Sequence, residues 1–259
     1  MTRPPPELFY TGIVAQAYGP LRSSPPDPRI YAGFVKSSGQ PALELGCGDG
    51  DPLLDLVAGG LDVEGLDSSP DMVARCRAAA ASRGLDVVVH EQSMQSMDLG
   101  RRYASIYLAG PTFNLLPDDA SAGRALERIA AHLAPGGAAL VPLFVPPVTP
   151  PEHLGVVRSY TDDEGTTFRF AALHEERDHE ARLLVTRTRY EADRDGDVVV
   201  EERPWVVHWH TQSGFGALAE RAGLTAKAVV APDGTPAGAD AAVFAFILTP
   251  ATAGVQGLV

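Results

Sequence analysis

Residues Ala42–Gly50 read ALELGCGDG, and the reading of this stretch decides the fold. A short apolar run broken by one acid, Glu44, leads into glycines at alternate positions, Gly46, Gly48 and Gly50. An apolar run that stops at glycines predicts a buried strand ending in a tight turn. Glycine in that turn removes the Cβ that would hold another chemical group away from the main chain.

Downstream, short apolar runs alternate with segments of helical period. Pro52 opens a helix through LLDLVAG, and LDVEGLD is a second strand ending at Asp67. In SSPDMVARCRAAAASRG, Ser69 suits the N-cap, Pro70 the first helical position and Gly84 the stop. Val73, Cys76 and Ala80 fall on one face of that helix. DVVVH is a third strand and YASIYLAG a fourth. DDASAGRALERIAAHLAPGG is a helix with Ala122, Leu126, Ile129 and Leu133 on one stripe, stopped by Pro135-Gly136-Gly137, and AALVPLFV follows as a strand. This alternation predicts an α/β fold, a parallel sheet with helices on both faces.

The pattern changes at the proline-rich VPPVTPPEH. TTFRFAALHEE, ARLLVTRTRYEAD and DVVVEERPWVVHWHT are strand-like, with RDHE and RDGD at the tips, which predicts an inserted small antiparallel β-sheet. SGFGALAERAGL is a helix, and TAKAVVA and AAVFAFIL are strands that return to the main sheet. The expected division is an N-terminal helical lid over residues 1–40, an α/β domain over 41–146 and 212–250, and the insertion over 147–211.

Composition narrows the function. The 259 residues are 45% hydrophobic and 21% charged, which suits an ordinary soluble core. A net charge of −12 and a pI near 4.9 argue against a nucleic-acid partner, which would need a cationic surface. Cys47 and Cys76 form neither a disulfide scaffold nor a CxxC pair, and read as packing residues in a reducing, cytoplasmic compartment. The N-terminus has no apolar signal core, and no run of about 18 apolar residues would span a membrane. The dinucleotide fingerprint G-x-G-x-x-G would need glycine where Asp51 stands, so a nicotinamide-dependent oxidoreductase is the weaker reading.

ALELGCGDG resembles the first motif of the class I S-adenosylmethionine-dependent methyltransferases, h-h-[D/E]-h-G-x-G-x-G. The resemblance implies a Rossmann-like class I methyltransferase sheet, with S-adenosylmethionine as donor and S-adenosylhomocysteine as product. It gives Gly46 and Gly48 contact with the donor, Glu44 its methionyl ammonium, and Asp67, with Ser68 beside it, the ribose hydroxyls. A charged carboxylate can accept two such bonds, the alternative being that Asp67 merely caps the next helix. Met72 resembles the apolar residue that lies on the adenine, or is a core methionine. HEQSMQSMDL resembles the segment that lines the adenine edge with Ser93 and Met94; here Ser93 replaces the usual aspartate.

The resemblance extends to the amino-sugar N-methyltransferases of antibiotic biosynthesis. DLGRRYASIYLAGPTFNLL, HEERDHEARLLVTRTRYEAD and WVVHWHTQSGFGALAERAGL carry it, and AYGPLRSSPPDPRIYAGF aligns with a lid whose tyrosines would be Tyr18 and Tyr31. It implies N-methylation of an amino sugar or similar small-molecule amine. The segments PLFV and TPAGADA depart from that group's substrate-specific motifs, so O-methylation of a hydroxyl stays open, and Ser93 with the lack of an evident base leaves non-catalytic donor binding open.

The candidates for chemistry on the acceptor are few. His208 and His210 share one strand face, and either could take a proton or simply be a strand residue. Asn114, past the fourth strand, lies where acceptors sit or serves its turn. His174 and His179 flank a hairpin tip as surface residues. No metal is expected, because the histidine pair has no evident carboxylate or third ligand nearby. The insertion could line the pocket or join two subunits as a homodimer.

Overall fold

A computed structural model describes residues 9–21 and 25–251. Residues 1–8 and 22–24 of the expected lid lie outside the described residues. Helices α1 (Ile13–Leu21) and α2 (Pro28–Ser38) precede β1 (Ala42–Leu45). Then come α3 (Leu53–Ala58), β2 (Val63–Asp67), α4 (Pro70–Ser82), β3 (Val89–Glu91), β4 (Tyr103–Tyr107), α5 (Asp119–His132) and β5 (Leu133–Phe144). The insertion holds β6 (Arg158–Thr161), β7 (Thr167–Asp178), β8 (Leu183–Arg194) and β9 (Asp197–His208). The chain closes with α6 (Gln212–Arg221), β10 (Leu224–Val230) and β11 (Val243–Pro250).

Two sheets result. The larger has seven strands in the order β10-β11-β5-β4-β1-β2-β3, and the smaller is β6-β7-β8-β9. Strands β3, β2, β1, β4 and β5 run parallel, while β11 lies antiparallel between β5 and β10. The chain runs outward from β1 through β2 to β3 and then crosses to the other side of β1 to form β4. That crossing is the topological switch point, beyond whose strand ends ligands bind in such sheets.

Alternation along β1 splits the core. Ala42 packs with Val35, Leu53, Val73 and Cys76 beneath α2, α3 and α4. Leu43 and Leu45 pack with Leu126, Ile129 and Phe215 beneath α5 and α6 on the opposite face. Local chemistry sets the helix limits. Ser69 accepts from the Met72 amide at 3.2 Å, Pro70 opens α4, and Gly84 leaves it at φ +65°. A third cluster, Leu184, Val207 and Trp209 against Phe144 and Val145, joins the small sheet to the end of β5.

The expected elements shift in three places. The third strand occupies Val89–Glu91 rather than beginning at Asp86, because only that part pairs with β2. Helix α5 ends at His132, before Pro135, and the Pro-Gly-Gly turn becomes an irregularity within β5 where pairing with β4 slips. The insertion has a fourth strand, β6, whose residues are all exposed and which therefore lacks an apolar signature. Among the described residues, no helix is long and apolar enough to cross a membrane.

Candidate functional site

The turns after β1, β2, β3 and β4 enclose a cleft at the switch point, with about 80 Å³ of free volume. Gly46 and Gly48 come from the first turn, Asp67 and Ser68 from the second, and Met72 from α4. Ser93, Met94 and Gln95 follow β3, and Thr112, Leu115 and Leu116 follow β4. Tyr10 and Tyr18 close it from the N-terminal segment.

The three glycines answer to different neighbours. At Gly46 (φ +69°) an added Cβ would lie 2.6 Å from Thr112 Cγ2, so the chain itself excludes a side chain there. At Gly50 (φ +101°) the excluded space belongs to Leu54 and Cys76, which pack α3 and α4 against the turn. At Gly48 (φ +55°) the nearest atom is Tyr18 Cε1 at 3.8 Å, so this position alone leaves room above the backbone. Both Gly46 and Gly48 nonetheless line the cleft.

Asp67 ties the turns together. One carboxylate oxygen accepts from the Gly48 amide at 2.8 Å and the other from the Ser69 amide at 2.8 Å. Burial raises its pKa against the lowering effect of these bonds. The Ser68 amide also interacts with this carboxylate, and of its four lone pairs at least one is left for a ligand hydroxyl. Ser93 Oγ lies 3.0 Å from Ser96 Oγ at the far rim.

Glu44 is buried in β1, two residues before the first cleft glycine. Its Oε2 accepts from the Tyr107 hydroxyl at 2.7 Å, while Oε1 makes no hydrogen bond among the described residues. Burial pushes this carboxyl up to about 8, opposed by the Tyr107 bond and reinforced by Cys76, Asp51 and Asp67. Tyr31, expected in the lid, instead stacks on Tyr107 with ring centres 5.5 Å apart and is buried in the core. Its position on the inner face of α2 puts it behind the site. An unsatisfied buried acceptor, an open glycine backbone and a carboxylate with a spare lone pair fit a donor with a cationic amino-acid end and a ribose.

A second cavity of about 350 Å³ adjoins the first across Tyr10 and Tyr18. Helix α1 forms one wall and the small sheet the other, through Phe170, Glu175, Thr186, Tyr190 and Trp205. Glu175 Oε1 accepts from Thr149 at 2.8 Å and from Thr186 at 3.2 Å. Arg158, over the Phe170 ring at 4.8 Å, stands at the margin.

The residues expected to act on the acceptor lie elsewhere. Asn114 is buried and spends its amide on backbone: Nδ2 donates to the Phe144 and His208 carbonyls, and Oδ1 accepts from the Phe144 amide. His208 and His210 are buried behind the 3-10 turn Thr112–Leu115, beside Phe113 and Phe215, and line neither cavity. Asp119, at the start of α5, has one oxygen 3.6 Å from His208 Nε2 and 3.7 Å from His210 Nδ1. The carboxylate thought missing from the histidine pair is therefore supplied by a distant part of the chain. His174 is exposed, and His179 packs edge-on against Trp209 at 5.9 Å.

Sequence reading did not single out Tyr10, Thr112, Leu115, Glu175, Tyr190 or Trp205. Their placement depends on contacts between distant segments. The one usable signal was the concentration of aromatics in the insertion.

Residues 42–137 match the family described as methyltransferase domain. The chain is 31% identical over 188 residues to the dTDP-3-amino-3,6-dideoxy-alpha-D-glucopyranose N,N-dimethyltransferase of Streptomyces fradiae, covering 69% of this chain and 71% of that protein. The CcbJ methyltransferase of Streptomyces caelestis superposes with a TM-score of 0.74 at 22% identity, over 92% of this chain and 96% of that one. CalS10 of Micromonospora echinaspora, an amino pentose methyltransferase involved in calicheamicin biosynthesis, superposes with a TM-score of 0.64 at 24% identity, over 93% and 98%.

Proposed function

Since this chain belongs to the S-adenosylmethionine-dependent methyltransferases, in the family of the sugar N,N-dimethyltransferases, we propose that its acceptor is the amine of an amino sugar made for a natural product. The chain is an enzyme whose cofactor is S-adenosylmethionine and whose cofactor product is S-adenosylhomocysteine. When bound, the donor supplies an electrophilic methyl group on a sulfonium. The residues named around the cleft would hold it, with Glu44 on the ammonium, Asp67 on the ribose, and Met72, Ser93 and Met94 around the adenine.

The observation that carries the amine reading is the wall of the second cavity. Tyr10, Tyr18, Phe170, Tyr190 and Trp205 surround it, with Glu175 as its carboxylate. A nitrogen that accepts a methyl group becomes cationic, and an aromatic face stabilises such a cation by about 0.5–2 kcal/mol. A hydroxyl acceptor would instead need a base to remove its proton. Among the described residues lining this cavity there is no histidine. Positioning of an acceptor lone pair in line with the methyl group can supply up to roughly 7–11 kcal/mol, which is the task left to these walls. Arg158 at the margin suits the diphosphate of a nucleotide-linked sugar, the form named for the Streptomyces fradiae relative.

The test is incubation with the methyl donor and either dTDP-3-amino-3,6-dideoxyglucose or its 3-hydroxy counterpart, read by mass spectrometry. The amine should gain one or two methyl groups and the hydroxyl none. Methylation of the hydroxyl compound alone would overturn the amine reading.

The same reading makes the protein a cytoplasmic homodimer with a small-molecule substrate. Strand β9 is a sheet edge whose Val198, Val199 and Val200 are 42–55% exposed, an apolar edge that a second copy would cover. Light scattering should give twice the chain mass, and Val199→Lys should give the single-chain mass. A wild-type chain that stays monomeric at high concentration would remove this part of the proposal.

A further inference from the structure

We propose that Asp119, His208 and His210 form a binding site for a divalent first-row transition metal of the zinc class. The three side chains come from the start of α5, the end of β9 and the link into α6, and their candidate ligand atoms all lie within 4.8 Å of one another. The imidazole rings stand 4.6 Å apart and steeply inclined, at 75°. A tetrahedral ion with bonds of about 2.0–2.2 Å sets its ligand atoms roughly 3.3–3.6 Å apart, so the 3.6 and 3.7 Å separations from Asp119 require only a slight contraction.

The chemistry of the donors agrees. Imidazole and carboxylate together suit zinc, cobalt, nickel or ferrous iron rather than magnesium or calcium. A ligating histidine must be neutral and offers its metal a ring-nitrogen lone pair. His210 is wholly buried, and neither of its ring nitrogens makes a hydrogen bond among the described residues. Such an orphaned polar group is costly unless something binds it. Asp119 divides its two oxygens between tasks: one pairs with the Arg182 guanidinium and the other faces both imidazoles. Arg182 thus orients the carboxylate from outside the ligand set.

The site lies behind the 3-10 turn Thr112–Leu115, with the Phe113 ring 6.1 Å from His210. A metal there would fasten α5, β9 and the start of α6 together at the back of the turn that gives Thr112 and Leu115 to the cofactor cleft. Three protein ligands leave a fourth position for water, the pattern of an open rather than a closed zinc site; because the site lines neither cavity, the role assigned to it is fastening.

The test uses full-length protein without a histidine tag, stripped with chelator and then given Zn²⁺ or Co²⁺ alone. One equivalent of zinc should survive desalting, and Co²⁺ should develop the visible absorption of a low-coordinate nitrogen and oxygen site. Zinc at a hundredfold excess over Kd should raise Tm by roughly 5–10 °C. Asp119→Ala should lose both signals, whereas Arg182→Gln, which removes the ion pair but no ligand, should keep the bound equivalent. Wild-type protein that retains no metal and shows no Tm rise would overturn the proposal. So would a zinc response that persists unchanged in Asp119→Ala.

Discussion

Glu44 stands in a buried strand with one oxygen bonded to Tyr107 and the other bonded to none of the described residues. Its carboxyl titrates at about 8 in the folded chain, against an ordinary value of 4.5, chiefly because burial disfavours the charge. Between those values the folded chain holds a proton that the unfolded chain has released. Stability therefore falls as pH rises through that window. An ammonium group placed beside Oε1 reverses the preference and drives the proton out. Donor binding at neutral pH is expected to release a proton, measured calorimetrically as a binding heat that varies with the ionisation enthalpy of the buffer. Glu44→Gln should abolish that release, weaken the donor by about 10–100-fold, and flatten the stability slope. Proton release that survives in Glu44→Gln would assign it to another group. The sequence marks Glu44 because an acid interrupts an apolar run. It does not show that Tyr107, 63 residues on, will hold one oxygen and leave the other for a ligand.

At the scale of elements, the turn Thr112–Leu115 is the joint on which both faces of the site depend. Thr112 fills the space above Gly46, and Asn114 clips the turn to β5 and β9 through three backbone bonds. Asn114→Ala leaves the Phe144 amide and two carbonyls without these partners, a loss of about 1–3 kcal/mol. Tm should fall by roughly 2–10 °C, and donor affinity should fall with it as Thr112 and Leu115 lose their anchorage. A full-strength Tm with collapsed turnover would instead put Asn114 in the chemistry. What could be read beforehand follows the same division. Helix α4 was legible because Ser69, Pro70 and Gly84 act on their own neighbours. Gly48 and Asp67 could each be placed at the same end of the sheet because both follow the carboxyl ends of neighbouring parallel strands, although the bond between them could not be read. Strand β6 was hidden because exposed RSYT carries no burial signal. The grouping of Asp119 with His208 and His210 was hidden because nothing local links α5 to the end of β9.

For the whole molecule, the two sheets meet through the N-terminal segment, which forms a wall of both cavities. Arg203 of β9 donates to the Phe9 carbonyl at 2.7 Å and the Thr11 hydroxyl at 3.0 Å. From the other side, Ser69 Oγ donates to the Tyr10 carbonyl at 2.6 Å, and the Gly12 amide donates to Asp71 at 2.6 Å. Tyr10 and Tyr18 are thereby held between the cleft of about 80 Å³ and the second cavity of about 350 Å³. Pockets that hold a small molecule measure about 300–1,000 Å³, so donor binding is expected to move this segment outward. Arg203 is its contact on the small-sheet side, and loss of that contact is expected to ease the movement. Arg203→Ala should speed donor release by roughly tenfold, the effect of losing one charged hydrogen bond net of solvent. Stopped-flow displacement of bound donor by excess S-adenosylhomocysteine measures that rate directly. Because the same residues wall the acceptor cavity, the acceptor KM should rise in parallel, while Asp67 and Glu44 keep their places on the main sheet. A release rate equal to wild type would mean that the Ser69 and Asp71 contacts alone govern the swing, and that the small sheet has no part in admitting the donor.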